Sequence, residues 1–153
     1  MTGPQLRGLT PILGALALTL GCAYSDAITN VYATKGEAEQ AGAVERGWIP
    51  RGLPATTHDL REAHSTAGRR AWGLFSFAPE DADALRALLA PNEIPAEGLR
   101  PGIPARIEWW PVLLRSTLDA EQIKSAGLQP YRSKDGALVV IVNWKQGRAY
   151  YWK

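Results

Sequence analysis

Cysteine is almost missing from this sequence: Cys22 is its only one. No disulfide can form within the chain, so a small scaffold stapled by bridges is excluded. An excess of one charge sign is missing too. Lys and Arg number 17, Asp and Glu 15, and the two signs are interspersed along the chain. With no basic stripe to follow a phosphate backbone, nucleic acid is not an expected partner. Long apolar runs are lacking. The uncharged stretch 8–21 falls short of the ~20 residues a helix needs to cross a bilayer core, and Asp26 follows soon after it. A permanent spanning helix is therefore not expected. Repeats at solenoid spacing and low-complexity tracts are absent. No serine lies in a Gly-x-Ser-x-Gly elbow. Between Gly98 and Gly102 there is neither the lysine nor the helix start that a phosphate-cradling loop requires.

What is present begins with an address. Arg7 precedes the leucine- and alanine-rich stretch, no acid comes before Asp26, and small Gly21 sits just before Cys22. That is the layout of a signal peptide over residues 1–21. Leu18-Thr19-Leu20-Gly21-Cys22 resembles the lipobox of bacterial lipoproteins. The resemblance implies cleavage before Cys22, diacylglycerol on its sulfur and usually a third acyl chain on the new amino terminus. Each buried methylene contributes roughly 0.8 kcal/mol, so two or three chains hold a protein on a membrane essentially permanently. Ala23 follows the cysteine where an aspartate would signal inner-membrane retention, so the same resemblance implies the outer membrane, facing the periplasm. Ordinary secretion with cleavage nearby and a buried N-terminal helix are the alternatives. Without the leader about 130 residues remain, enough for one domain with a real core.

The expected elements run as follows. Residues 28–33 alternate apolar and polar with β-branched content and read as a strand. Thr34, with Glu37 three residues on, has the spacing of a capping box, and a helix is expected from there to Arg46, ended by Gly47. Pro50 and Pro54 enforce an extended turn anchored by Trp48. Residues 57–64 suit a strand or a short helix equally. Residues 71–77 read as a strand, and Pro79 opens a helix through Ala90. A proline- and glycine-marked loop to Pro104 leads to a strand over 105–110, broken at Pro111 and continued over 112–114 beyond a bulge. Thr117 or Asp119 caps a short helix ending at Gly127. From Leu128 the pattern is a β-meander, with turns at Asp135-Gly136 and Gln146-Gly147. The fold class expected is α+β, an antiparallel sheet with two or three short helices packed on it, over a single domain 22–153.

Tyr32-Ala33-Thr34, Gly47-Trp48-Ile49-Pro50, Leu53-Pro54, Asp59-Leu60-Arg61-Glu62-Ala63-His64 and Trp72-x-x-Phe75 together resemble the bacterial YbbD head domain family, over about residues 30–77. The resemblance implies a domain type and a small exported or lipid-anchored protein. It implies no activity.

Three groups of residues could carry chemistry. His58, Glu62 and His64 bring both histidines of the chain near a carboxylate, and two imidazoles with one carboxylate can bind zinc. Extended backbone would align them on one face, whereas a helix would stack His58 on Glu62 and turn His64 away. The plainer reading makes them surface groups paired with Arg61, Arg69 or Arg70. Ser65, Ser76, Ser116 or Ser133 could meet His64 and Asp59, but no motif supports such a triad. Six tryptophans are a high count for this length. Trp48, Trp72 and Trp144 are expected in the core. Adjacent Trp109 and Trp110 would face opposite sides of a strand, which leaves one of them exposed as a contact patch. The expectation is a non-enzymatic, cofactor-free envelope module, held on the membrane by lipid at Cys22 and binding an envelope protein or a peptidoglycan-like glycan. The alternative is a small metal-assisted or serine hydrolase.

Overall fold

A computed structural model describes residues 27–66 and 69–153; the leader and Cys22 lie outside them. Six antiparallel strands form a single sheet in the order β1-β2-β3-β6-β5-β4. They are β1 (Ala27–Thr34), β2 (His58–Ser65), β3 (Ala71–Ser76), β4 (Gln129–Arg132), β5 (Val139–Asn143) and β6 (Arg148–Trp152). Three short helices accompany them, α1 (Lys35–Gln40), α2 (Ala82–Arg86) and α3 (Ala120–Ser125). Antiparallel sheet and short helices make an α+β fold. Among the described residues no helix is long and apolar enough to cross a membrane.

Local chemistry sets the boundaries. Thr34 Oγ1 accepts the Glu37 N–H at 3.2 Å, and the Glu37 carboxylate accepts the Ala33 N–H at 2.8 Å, a reciprocal cap of the kind its spacing suggested. The helix stops at Gln40, however, short of Arg46. Gly42 has φ +73, Ala43 N–H returns to the Ala38 carbonyl at 3.0 Å, and Gly42 N–H to that of Glu39 at 2.9 Å. This Schellman ending is a glycine device, and it recurs five residues on. Gly47, φ +71, lets Trp48 N–H reach the Ala43 carbonyl at 3.0 Å.

The ambiguous stretch before Ser65 is strand β2, with a register slip between His58 and Arg61 and a left-handed Asp59 at φ 53. The helix expected to reach Ala90 ends early, after a 3-10 turn over Pro79–Asp81 and one turn of α2. After a turn at Ala87 and Leu88 the chain runs beside β4 instead: Leu89 bridges Ser133, Ala90 N–H reaches the Arg132 carbonyl at 2.8 Å, and Ile94 N–H that of Pro130 at 2.9 Å. An edge strand leaves a row of backbone groups open, and here the chain closes that row itself.

The strand expected over 105–110 is absent. The segment is built of turns, with Ile107 N–H on the Pro104 carbonyl at 3.1 Å and Trp110 N–H on the Ile107 carbonyl at 3.3 Å, followed by a 3-10 turn over Val112–Leu114. Pro104 and Pro111 bracket it, and each removes a donor that a sheet ladder would need.

Each face of the sheet has its own core. On one, Leu60, Phe75, Val140, Val142, Ala149 and Tyr151 are covered by residues of 38–53 and by Leu85 and Leu89. On the other, Ala63, Trp72, Ile141 and Trp152 are covered by Ile107, Trp110, Leu114, Leu118 and Ile123 from the long connection into α3. Burial on both faces explains why β3 and β5 read as nearly continuous apolar runs.

Candidate functional site

Glu62 and His64 are two residues apart on a strand, so both project from one face of β2. Glu62 is fully buried. Its carboxylate accepts Asn30 Nδ2 from β1 at 2.5 Å and His64 Nδ1 at 3.0 Å. The His64 ring lies flat on Trp48, with centroids 3.6 Å apart and planes within 6°. The Arg46 guanidinium carbon stands 4.9 Å from the centroid of the same indole. Two side chains of the C-terminal segment fasten this loop by its carbonyls: Tyr151 OH donates to Trp48 O at 2.8 Å and Lys153 Nζ to Gly47 O at 2.7 Å.

This arrangement is a clamp. It joins Asn30 of β1 and His64 of β2 on the buried Glu62 carboxylate, lays the Trp48 loop over His64 and fastens that loop to Tyr151 of β6; a buried carboxylate stripped of its partners is strongly destabilising. Burial, then the Glu62 charge and Tyr32, hold the Tyr151 phenol well above the usual tyrosine range. Tyr32 is raised by burial first and Glu62 second, against a lowering by Arg46. Both phenols are thus kept protonated, the opposite of an activated nucleophile. Ser65 follows His64 on the strand and points to the other face.

The structure therefore divides the residues singled out above. Glu62 and His64 meet, but as buried partners of each other and not as surface groups paired with arginines. His58 stays apart and exposed, its Nδ1 2.9 Å from the Thr56 carbonyl oxygen, because the register slip and Asp59 interrupt the alternation that would have aligned it. Among the described residues no three His, Cys, Asp or Glu side chains gather as metal ligands.

Trp110 is 1% exposed. Its ring meets Trp109, Tyr150 and Trp152 edge-on, and its Nε1 donates to the Leu114 carbonyl at 2.7 Å. It offers no contact surface. Trp109 is half-buried, with Nε1 buried and without a hydrogen-bond partner. The opposite-faces argument for this pair fails because the segment is not a strand. Trp72 is core, as expected, whereas Trp48 and Trp144 are only half-buried.

A feature that sequence reasoning passed over lies at the edge of the sheet. Among the described residues β1 pairs with β2 alone. Its eight residues, AITNVYAT, include no charge and no proline, the devices by which natural edge strands avoid pairing with strangers. Among the described residues the exposed large apolar side chains are Ile28 at 49%, Val31 at 65% and Val112 at 83%, so two of the three stand on this one strand. The opposite edge, β4, carries Pro130 and is covered by the 88–94 segment. The contrast was readable in the lack of any charge between Ala27 and Thr34.

The chain is thus of the α+β class, and among the described residues one sheet edge is closed and the other open. The segment 26–76 matches the family model of the YbbD head domain. It comprises β1, β2, β3 and the loop of the clamp, so the Gly47-Trp48-Ile49-Pro50 motif and the Glu62–His64 pair are parts of a single interlocked unit. No curated protein and no solved structure matches the chain.

Proposed function

We propose that the protein is a bacterial lipoprotein, anchored through Cys22 to the periplasmic side of the outer membrane, and that residues 22–153 form a binding module that captures an envelope protein by strand addition along β1. The observation that carries the binding half of this reading is the open, uncharged edge with Ile28 and Val31 exposed. An added strand gains affinity from backbone hydrogen bonds and specificity from alternate side chains. The anchoring half rests on the leader and on Leu18-Thr19-Leu20-Gly21-Cys22.

The two halves constrain each other. Ala27, where β1 starts, is the fifth residue after Cys22, and five residues span at most roughly 17 Å. The open edge therefore works close to the bilayer, and its partner is a membrane-proximal extended segment rich in apolar residues.

Each half has its own test. Cys22→Ser is expected to stall processing or release the protein from membranes, with loss of lipid labelling; unchanged fractionation and labelling would defeat the anchor. A photoreactive residue at Ala33 should give a discrete crosslinked product in intact envelopes. That product should disappear on Val31→Lys, while the melting temperature stays within about 2 °C, as for other exposed substitutions. A crosslink that survives Val31→Lys would show that the edge is not the binding surface.

A further inference from the structure

A second surface lies at the other end of the sheet, where Tyr131 of β4 and Trp144 beyond β5 meet the segment after α2. It is an open concavity of about 450 Å³ walled by Arg86, Leu89, Pro91, Tyr131, Lys134 and Trp144. Its walls are fixed by backbone bonds: Lys134 N–H to the Leu88 carbonyl at 2.9 Å, and Ala90 N–H to that of Arg132 at 2.8 Å. Pockets of this size, part apolar with a few convergent polar groups, are where small ligands bind.

The polar groups here share one character. The Arg86 guanidinium carbon sits 4.0 Å from the Trp144 ring centroid. Stacking of this kind holds the fork still and leaves its N–H groups in a plane that suits a carboxylate. Among the described residues neither Arg86 nor Lys134 has a carboxylate at ion-pair distance. The acid next to Lys134 in sequence, Asp135, spends its Oδ1 on Ser133 Oγ at 2.5 Å and on the Ala137 N–H at 3.0 Å. Tyr131 OH accepts Trp144 Nε1 at 3.2 Å, which leaves its own proton to donate. Arg86, Lys134 and Tyr131 thus all present donors, beside the apolar surfaces of Leu89, Pro91 and Trp144. Two unpaired cations and a phenol proton call for a ligand rich in acceptors and negatively charged. The apolar walls suit the carbon faces of a sugar ring.

We propose that this concavity binds a carboxylate-bearing sugar, with the carboxylate on Arg86 and Lys134 and a ring hydroxyl or acyl oxygen on Tyr131. The site is independent of strand addition at β1, and either can fail without the other.

The test uses the full-length lipidated protein in detergent, labelled with fluorotryptophan, with the Trp144 resonance assigned through Trp144→Phe. N-acetylmuramic acid should shift that resonance at millimolar concentration. N-acetylglucosamine, the same ring without the lactyl carboxylate, should bind at least about tenfold more weakly, the loss expected for one charge-assisted contact. Arg86→Gln should weaken the acidic sugar by a similar factor and leave the neutral one unchanged. Lys134→Gln should weaken the acid several-fold while the free Trp144 resonance stays in place, which separates charge from any disturbance of the ring. Equal binding of the two sugars, a preference for a sugar phosphate, unchanged affinity in Arg86→Gln, or no shift at all would each overturn the proposal. Val31→Lys should leave this titration as it is.

Discussion

Gly73→Ala should be among the most damaging single-methyl changes in this protein, lowering stability by roughly 3 kcal/mol or more. Gly73 lies mid-strand in β3, opposite Glu62 on one side and Tyr151 on the other. A Cβ built there would fall inside the ring and hydroxyl of Tyr151. The backbone itself is ordinary, so the requirement is for space and not for conformational freedom. Tyr151 cannot simply swing away, because it is buried and its hydroxyl is fixed to the Trp48 carbonyl at 2.8 Å. Overpacking alone typically costs about 1–3 kcal/mol, and loss of the hydrogen bond adds about 1 kcal/mol. For a domain of this size that corresponds to a fall in melting temperature on the order of 10–15 °C. A thermal melt checks it, and a double-mutant cycle identifies the cause. If the clash is with Tyr151, Gly73→Ala combined with Tyr151→Ala should cost clearly less than the sum of the two. Additive losses, or a Gly73→Ala protein that melts like the parent, would remove this account of the glycine.

Trp110→Ala should be comparably severe, at about 3–5 kcal/mol, the usual range for emptying a tryptophan site in a packed core. The ring is enclosed by Trp109, Tyr150 and Trp152, and its truncation also leaves the Leu114 carbonyl without the indole donor. Trp109→Ala should cost less. That ring is half-buried, and its indole nitrogen has no hydrogen bond to lose. Chemical denaturation of the two variants side by side measures the difference. Equal, small losses would restore the pair as a surface feature.

How much could be read beforehand depends on whether the deciding interaction is local. The Thr34–Glu37 cap, the strand before Pro79 and the αL glycine closing α3 each follow from neighbours in sequence, and the structure contains them. The premature end of α1 was legible as well. Gly42 supplies the same signal as Gly47, but a glycine inside an alanine- and charge-rich stretch looks tolerable until its φ is known. The failures are non-local. Ala87 to Leu89 still turn their N–H groups back onto α2, but the edge of β4 takes the Leu88 carbonyl and the Ala90 N–H, and the helix goes no further. Residues 105–110 alternate well enough for a strand, but Pro104 and Pro111 deny them a ladder and they fold as turns over the sheet face.

The candidate site follows the same division. That Glu62 and His64 share a face follows from strand alternation once β2 is known to be a strand. That they are buried together does not, because their burial is imposed by Trp48 folding over from a different segment. Arg86 and Trp144 are far apart in the chain, and neither belongs to a recognisable motif.

The strand order has a kinetic consequence. β6 is the sixth strand in chain order, yet it lies between β3 and β5. β1, β2 and β3 can zip together locally, as can β4, β5 and β6, but the seam between these halves forms only when Leu74 finds Tyr150 across the whole intervening chain. Such distant pairings are slow. Until then the half-formed molecule carries the row Trp72, Leu74 and Phe75 along an unzipped border, a sticky one by composition. Folding is therefore a race between that seam closing and two unfinished molecules meeting through their β3 strands.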